Sequence, residues 1–280
     1  MIEKILIPTD GSAYSKTALE YGIYVAKRLG GQQITGLHVI DICLMQGPVC
    51  TDLSGAVGLP AYQDYLPSIR DRLNEQGKGI LTAFRSKCEK SGIQPETLTT
   101  MGLIDETIIN EGKNADLIIL ARRGDHFHFA GVGVLGSTAE SVVRKSGRPV
   151  MITPETFCEI ESMGLAYDGS APAENALKLA VELSDAASWP LTIIVVTDDH
   201  ELEARITCKI DDFLEPYKID CETVILRGKE DREIARFIND GSIELMVMGA
   251  YGHNRLRELV LGSTTSRIIR RSTIPVLLTR

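Results

Sequence analysis

The sequence predicts an α/β protein of two tandem doubly wound domains, each a five-stranded parallel sheet with helices on both faces. Three observations lead there. Short Val/Ile/Leu runs alternate with stretches of helical periodicity, as expected of strands buried on both faces and joined by crossover helices. The order of these signals in residues 1–154 returns in residues 160–280, so one plan is written twice. The 280 residues, 44% hydrophobic and 24% charged, are enough for two domains with real cores.

Each element has a counterpart in the other half. Lys4-Ile-Leu-Ile-Pro-Thr-Asp-Gly-Ser12 matches Met163-Gly-Leu-Ala-Tyr-Asp-Gly-Ser170. Both are apolar strands ending in Asp-Gly-Ser, and both run into a helix, Ala13–Leu29 and Ala171–Ala187. The second strand, Ile34–Val39, matches Leu191–Val196. Between the second and third strands the copies part: Val39 to Gly102 spans 63 positions and Val196 to Gly228 spans 32. Residues 42–65 of the excess are rich in Gly, Pro and small residues. They predict a long loop, either a lid or contact surface or a plain surface excursion, followed by a longer helix to about Ser91. The fourth strands are Ala115–Ala121 and Ile243–Gly249; the next helices open at Leu135-Gly-Ser-Thr138 and Leu261-Gly-Ser-Thr264. The last strands are Arg148–Thr153 and Ile274–Thr279, and the break between halves falls near 154–160, around Pro154 and Cys158.

Charge narrows the function classes. The net charge is −8, with 16 basic against 17 acidic residues in 1–155 and 14 against 21 in 156–280. Neither half has the basic balance of a nucleic-acid-binding domain. No apolar run approaches 18 residues, so no transmembrane helix is expected. The N-terminus lacks a signal peptide's apolar core, so a cytoplasmic location is the default expectation. Six cysteines form no C-x-x-C pair and predict reduced, packed thiols, with Cys43 and Cys50 in the long loop as candidates for redox sensitivity. Arg255, Arg257, Arg267, Arg270 and Arg271 form either a solvated helix face or a local positive field.

The chemistry concentrates where that arginine cluster begins. Gly249 and Gly252 follow the apolar run Glu244–Met248, and nine residues later Gly262, Ser263 and Thr264 open a helix. A buried strand, a glycine turn and a helix N-terminus form an anion cradle, because glycine lets backbone approach closely and first-turn N–H groups lack intrahelical partners. The first half departs from this spacing. It reads Ala121-Arg122-Arg123-Gly124, eleven residues, then Gly136-Ser137-Thr138, with Arg122 and Arg123 keeping an anionic ligand in view. The spacer holds Asp125-His126-Phe127-His128, whose two imidazoles and one carboxylate fall short of a structural zinc set, so no metal site is predicted.

On these residues the chain resembles a tandem universal stress protein. The family motif Gly-x2-Gly-x9-Gly-Ser/Thr fits Gly249, Gly252, Gly262 and Ser263 without a gap, and the resemblance covers almost the whole chain. It implies an adenine-nucleotide α-hydrolase-like fold, with ATP (or ADP or AMP) and accompanying Mg²⁺ lying across the carboxyl ends of the strands. By position, Asp168 would meet the adenosine in a pocket flanked by Ala166 and Tyr167, Val196 would contact the adenine edge through its backbone, and Met248 and Gly249 would line the ribose. Gly252, His253, Gly262, Ser263 and Thr264 would hold the phosphates. Pro8, Thr9, Asp10, Val39, Gly124, Gly136, Ser137 and Thr138 would form a degenerate second nucleotide site, from which less ATP binding is expected. Bland readings stay open beside these: Asp168 and Ser263 and Thr264 as helix caps, His253 as a solvated loop residue. The resemblance also implies an internal pseudo-dimer through the last strands of both halves, with a homodimer and an unknown protein partner as further expectations.

The function implied is that of a stress-response sensor or adaptor with nucleotide mainly in the second domain. Two alternatives accompany it. One is a slow ATPase or a nucleotidyl or phosphoryl transferase. The other is a first domain that binds another small ligand or serves as a dimerisation module. The sequence holds no Gly-x4-Gly-Lys-Ser/Thr loop, no Ser-Gly-Gly-x-Asp-Ser loop, no Gly-x-Ser-x-Gly elbow and no His-Glu-x-x-His helix, so no catalytic residue is assigned.

Overall fold

The computed structural model describes residues 2–30, 33–45, 62–124, 135–250 and 261–280. The first half runs β1 (Lys4–Pro8), α1 (Ala13–Arg28), β2 (Gln33–Asp41), a 3-10 turn at Ile42–Met45, α2 (Tyr62–Lys90), β3 (Glu96–Gly102), α3 (Ile104–Gly112), β4 (Leu117–Ala121), α4 (Ser137–Lys145) and β5 (Val150–Thr153). The second half repeats the order: β6 (Met163–Ala166), α5 (Ala171–Ala187), β7 (Leu191–Val196), α6 (His200–Leu214), β8 (Cys221–Leu226), α7 (Glu230–Asn239), β9 (Leu245–Gly249), α8 (Ser263–Arg271) and β10 (Val276–Thr279). The predicted alternation of strands and helices is present in both copies. The long helix differs at its start: α2 begins at Tyr62, inside the stretch the sequence assigns to loop.

The two five-stranded sheets are one ten-stranded sheet of order β3-β2-β1-β4-β5-β10-β9-β6-β7-β8. Within each half every pairing is parallel; the halves meet at the antiparallel pair β5–β10, with Val276 opposite Ile152, Leu277 opposite Met151 and Leu278 opposite Val150. The internal pairing expected of the last strands is therefore realised within the chain. All four residues of each of these strands are buried. Left unpaired, either strand would be an apolar edge open to association.

Strand periodicity sorts the core into two layers. Ile5, Ile7, Leu117, Ile119, Met151, Leu245, Val247 and Leu277 face α1, α2, α5 and α6, while Leu6, Ile118, Leu120, Val150, Ile152, Met246, Met248 and Leu278 face α3, α4, α7 and α8. Side chains of successive strand residues point to opposite faces, so runs that are apolar at every position serve both layers. Each layer crosses the junction between halves. The chain between the halves is fastened to α1: Thr17 Oγ1 donates to the Glu155 carbonyl at 3.1 Å and Tyr24 Oη to the Ile160 carbonyl at 2.6 Å. The Tyr24 ring stacks on Trp189, with 1° between the planes.

Among the described residues no helix is long and apolar enough to cross a membrane. The described cysteines form no disulfide. Burial pushes the thiols of Cys88 and Cys221 up to about 11, and Asp41 raises that of exposed Cys43 by hydrogen bonding. Thiolate is the reactive form. In native protein near pH 8, a disulfide reagent is therefore expected to modify exposed Cys208 first and Cys43 more slowly, and to reach buried Cys88 only after denaturant is added. Rapid modification of Cys88 without denaturant would contradict its burial. Cys50 lies outside the described residues.

Candidate functional site

β6 is where the second half reverses its strand order. It pairs with β7 on one side and β9 on the other, with Ala166 level with both Ile194 and Met248. In open α/β sheets the crevice for a ligand opens at the carboxyl ends of strands at this switch. The ends of β6, β7 and β9 bring Asp168, Val196 and Gly249 to it.

The turn after β6 explains the Asp-Gly-Ser signature. Asp168 Oδ1 accepts the Ser170 N–H at 2.9 Å, and Gly169 adopts φ +77°. Ser170 Oγ then accepts the Ala173 N–H at 3.3 Å and caps α5. The first half repeats the geometry: Asp10 Oδ1 takes the Ser12 N–H at 3.0 Å, Gly11 has φ +82°, and Ser12 Oγ accepts the Ser15 N–H at 3.1 Å. The capping role is real in both copies. It falls chiefly to the serine, while the aspartate shapes the turn that aims it.

The glycine run resolves into different tasks. A Cβ on Gly249 would stand 2.9 Å from Pro172 Cβ and 3.1 Å from the Ala173 nitrogen, so this glycine is required by the start of α5. The Gly249 carbonyl accepts the Thr265 hydroxyl at 3.2 Å, which ties the first turn of α8 to the end of β9. Gly262 is the N-cap of α8 and contributes no side-chain cap, leaving the helix's first N–H groups to other acceptors. Ser263 is exposed and Thr264 half-buried. Gly252, His253, Arg255 and Arg257 lie outside the described residues.

Side chains next to this helix start are acidic as well as basic. Thr264 Oγ1 donates to Glu230 Oε2 at 3.3 Å, and Arg267 forms an ion pair with Asp231, whose hydrogen bond holds that carboxyl below the usual carboxylate range. Part of the arginine cluster is thus spent on α7. Tyr167 and Met248 are buried, with Tyr167 in the layer shared with α5 and α6, so both meet the crevice through their backbone. Burial raises the Tyr167 phenol above its ordinary range. Ala166, Val196 and Gly249 are half-buried.

The equivalent end of the first half is more closed. Pro8 ends β1; the Thr9 N–H bonds the Leu37 carbonyl at 2.8 Å and its hydroxyl the Ser15 hydroxyl at 3.2 Å. His38, next to Val39, places Nδ1 2.9 Å from the Thr9 carbonyl, and helix α2 passes so near that a Cβ on Gly77 would stand 2.7 Å from the His38 ring. A Cβ on Gly11 would meet Ile80 of α2 at 2.9 Å, whereas one on Gly169 would meet Ile206 of α6 at 3.6 Å. A Cβ on Gly124 would lie 2.8 Å from Asp10 Oδ2, so the chain after β4 covers the carboxylate. Gly136 caps α4, its N–H bound to the Arg122 carbonyl at 3.0 Å, with Ser137 exposed and Thr138 half-buried beyond it. Arg122 itself reaches the second half and donates to the carbonyls of Ile269, Arg270 and Ser272 at 3.0–3.2 Å. Residues 125–128 lie outside the described residues.

Sequence reasoning missed His38, Pro172, Thr265 and Glu230. Each acts through a partner far along the chain, and no local spacing marks it.

The comparisons agree with this architecture. The sequence model of the universal stress protein family matches residues 1–154 and 200–280. A universal stress protein of Synechocystis sp. is 32% identical over 99% of both chains. The crystal structure of a universal stress protein from Archaeoglobus fulgidus DSM 4304 superposes with a TM-score of 0.78 at 25% identity, covering 100% of this chain and 99% of that one. A functionally unknown protein from Pseudomonas aeruginosa PAO1 shares the fold, with a TM-score of 0.62 at 17% identity over 99% of this chain and 92% of its own. A duplicated α/β unit with this motif, matched by the family in both halves and by a relative along the whole length, places the chain in the universal stress protein family.

Proposed function

We propose that the second half binds ATP with Mg²⁺, and that the protein works as a nucleotide-dependent sensor or adaptor rather than as a catalyst. The observation that carries this reading is the Thr265–Gly249 bond. It sets a helix start with no side-chain cap at the end of β9, beside the β6–β9 switch where Asp168 stands. A carboxylate suits ribose hydroxyls or adenine N–H groups, and a glycine-capped helix start suits phosphate.

Asp168 takes the adenosine, with Val196 offering backbone to the adenine edge and Ala166, Met248 and Gly249 lining the ribose. Tyr167 contributes backbone. Gly262, Ser263 and Thr264 receive the phosphates, with Gly252 and His253 from the motif. Glu230 beside Thr264 would repel a bare triphosphate, and Mg²⁺ carried by the nucleotide offsets that charge. ADP and AMP, which keep the adenosine, use the same Asp168 end.

The closeness of α2 to the first-half strand ends supports an asymmetric protein, with nucleotide in the second half. Titration calorimetry with MgATP is expected to give one saturable site per chain. Two equal sites would defeat the asymmetry, and no saturable binding would defeat the assignment. ADP release slower than about 1 per second is expected of a sensor; turnover at ordinary enzymatic rates would favour catalysis.

A further inference from the structure

We propose that a cleft between the two halves is a second anion site, and that it takes a condensed phosphate chain bridging them. The cleft is open to solvent and measures about 1040 Å³, more than a single phosphate needs and at the upper end of small-molecule sites. Its lining gathers Arg122 and Arg123 from the first half with Arg267, Arg270 and Arg271 of α8, and Glu155 is the acidic residue among them. Ser266 adds a hydroxyl on the same helix.

Helix architecture accounts for part of this charge. Arg122 caps the C-terminal carbonyls of α8, Arg267 pairs with Asp231, and basic residues in a last helical turn complement the dipole. It leaves a remainder. Arg122 and Arg123 have side chains only 12% exposed, and Glu155 reaches each at 3.8 Å, beyond a hydrogen bond. The Nε of each is buried and finds no hydrogen-bond partner among the described residues. Arg270 and Arg271 have no ion pair among the described residues.

Five arginines lining one open cleft, with Glu155 as the acidic residue among them, fit a ligand that is rich in oxygen and multiply charged. Guanidinium forks match phosphate oxygens in pairs. A chain of phosphates supplies successive oxygens from one wall of the cleft to the other, which a single carboxylate does not. The source is an inorganic oligophosphate rather than the tail of a nucleotide, and the test separates the two.

The probe is tripolyphosphate, titrated calorimetrically into the full chain at about 50 mM salt, where screening is modest. Saturable binding is expected, and it is expected to persist when the protein is already saturated with MgATP. Arg270→Ala combined with Arg271→Ala is expected to weaken tripolyphosphate binding at least about tenfold, since each lost charged hydrogen bond is worth that order. Both residues sit on the exposed last turn of α8, so the thermal midpoint is expected to hold. Arg270→Lys with Arg271→Lys, which keeps charge but loses the fork, should fall between. Absence of tripolyphosphate binding would overturn the proposal, as would unchanged affinity in the double alanine variant. Complete displacement by ATP would also overturn it, by assigning the phosphates to the nucleotide crevice. AMP, which lacks the chain, is expected not to compete. Failure of ATP to bind anywhere would defeat the nucleotide reading alone, because the tripolyphosphate arm is read without it.

Discussion

Leu277→Asp is expected to cost most of the protein's stability. Leu277 is fully buried in β10, opposite Met151 of the first half and level with Val247 of β9. The substitution removes the burial of a leucine, about 1.5–3 kcal/mol, and puts a carboxylate where no cation waits. That second effect adds several kcal/mol or forces protonation. The sum is comparable with the roughly 5–15 kcal/mol that holds a domain folded. Urea unfolding followed by circular dichroism is the measurement, and loss of a folded baseline or a shift of at least about 4 kcal/mol is the expected result. Thr99→Asp is the matched control: Thr99 is exposed on the outer strand β3, where the same carboxylate should cost within about 0.5 kcal/mol. Because both core layers cross the β5–β10 junction, the wild type should unfold in one transition. A variant that loses the second half while the first remains folded would show that the shared sheet is continuous in geometry but not in energy.

The same junction marks the limit of what the sequence could reveal. Strands such as Leu117–Ala121 and Leu245–Gly249 were legible because they are apolar at every position, which only a sheet covered on both faces requires. The duplication was legible because Asp-Gly-Ser and Leu-Gly-Ser-Thr recur at matching places. The register bears this out in detail: Val39 opposite Thr100 and Val196 opposite Leu226 put Gly102 and Gly228 at equivalent steps. Side-chain direction was not legible. Gly249 reads as a ligand-facing glycine, yet the space its missing Cβ leaves is taken by Pro172. Arg122 reads as a residue of the first-half loop, yet its guanidinium ends on α8. Both depend on which helix lies across which strand, a consequence of packing that sequence separation hides. His38 is a further case, since its contact with α2 exists only because the first half's longer helix returns over the strand ends.

Asp168→Asn is expected to weaken MgATP binding by about 10- to 100-fold, the range for losing a charged acceptor to bound hydroxyl or amine donors. The choice of asparagine separates the two roles of this position. Its side-chain oxygen can still accept the Ser170 N–H that Asp168 Oδ1 accepts at 2.9 Å, so the turn, the Ser170 cap and α5 survive. Only the charge is removed, and the thermal midpoint is expected to stay within about 2 °C of wild type. Asp168→Ala loses the turn bond as well and should be less stable by about 1 kcal/mol, the usual cost of a damaged helix start. Asp10→Asn makes the identical change in the first half, where Gly124 already lies over the carboxylate and α2 closes on the turn. It is expected to leave MgATP affinity unchanged. Titration of the three variants thus tests position and asymmetry together. Equal losses in Asp10→Asn and Asp168→Asn would mean that both halves hold nucleotide. Full affinity in Asp168→Asn would reduce this aspartate to the turn it shapes and move the nucleotide elsewhere on the sheet.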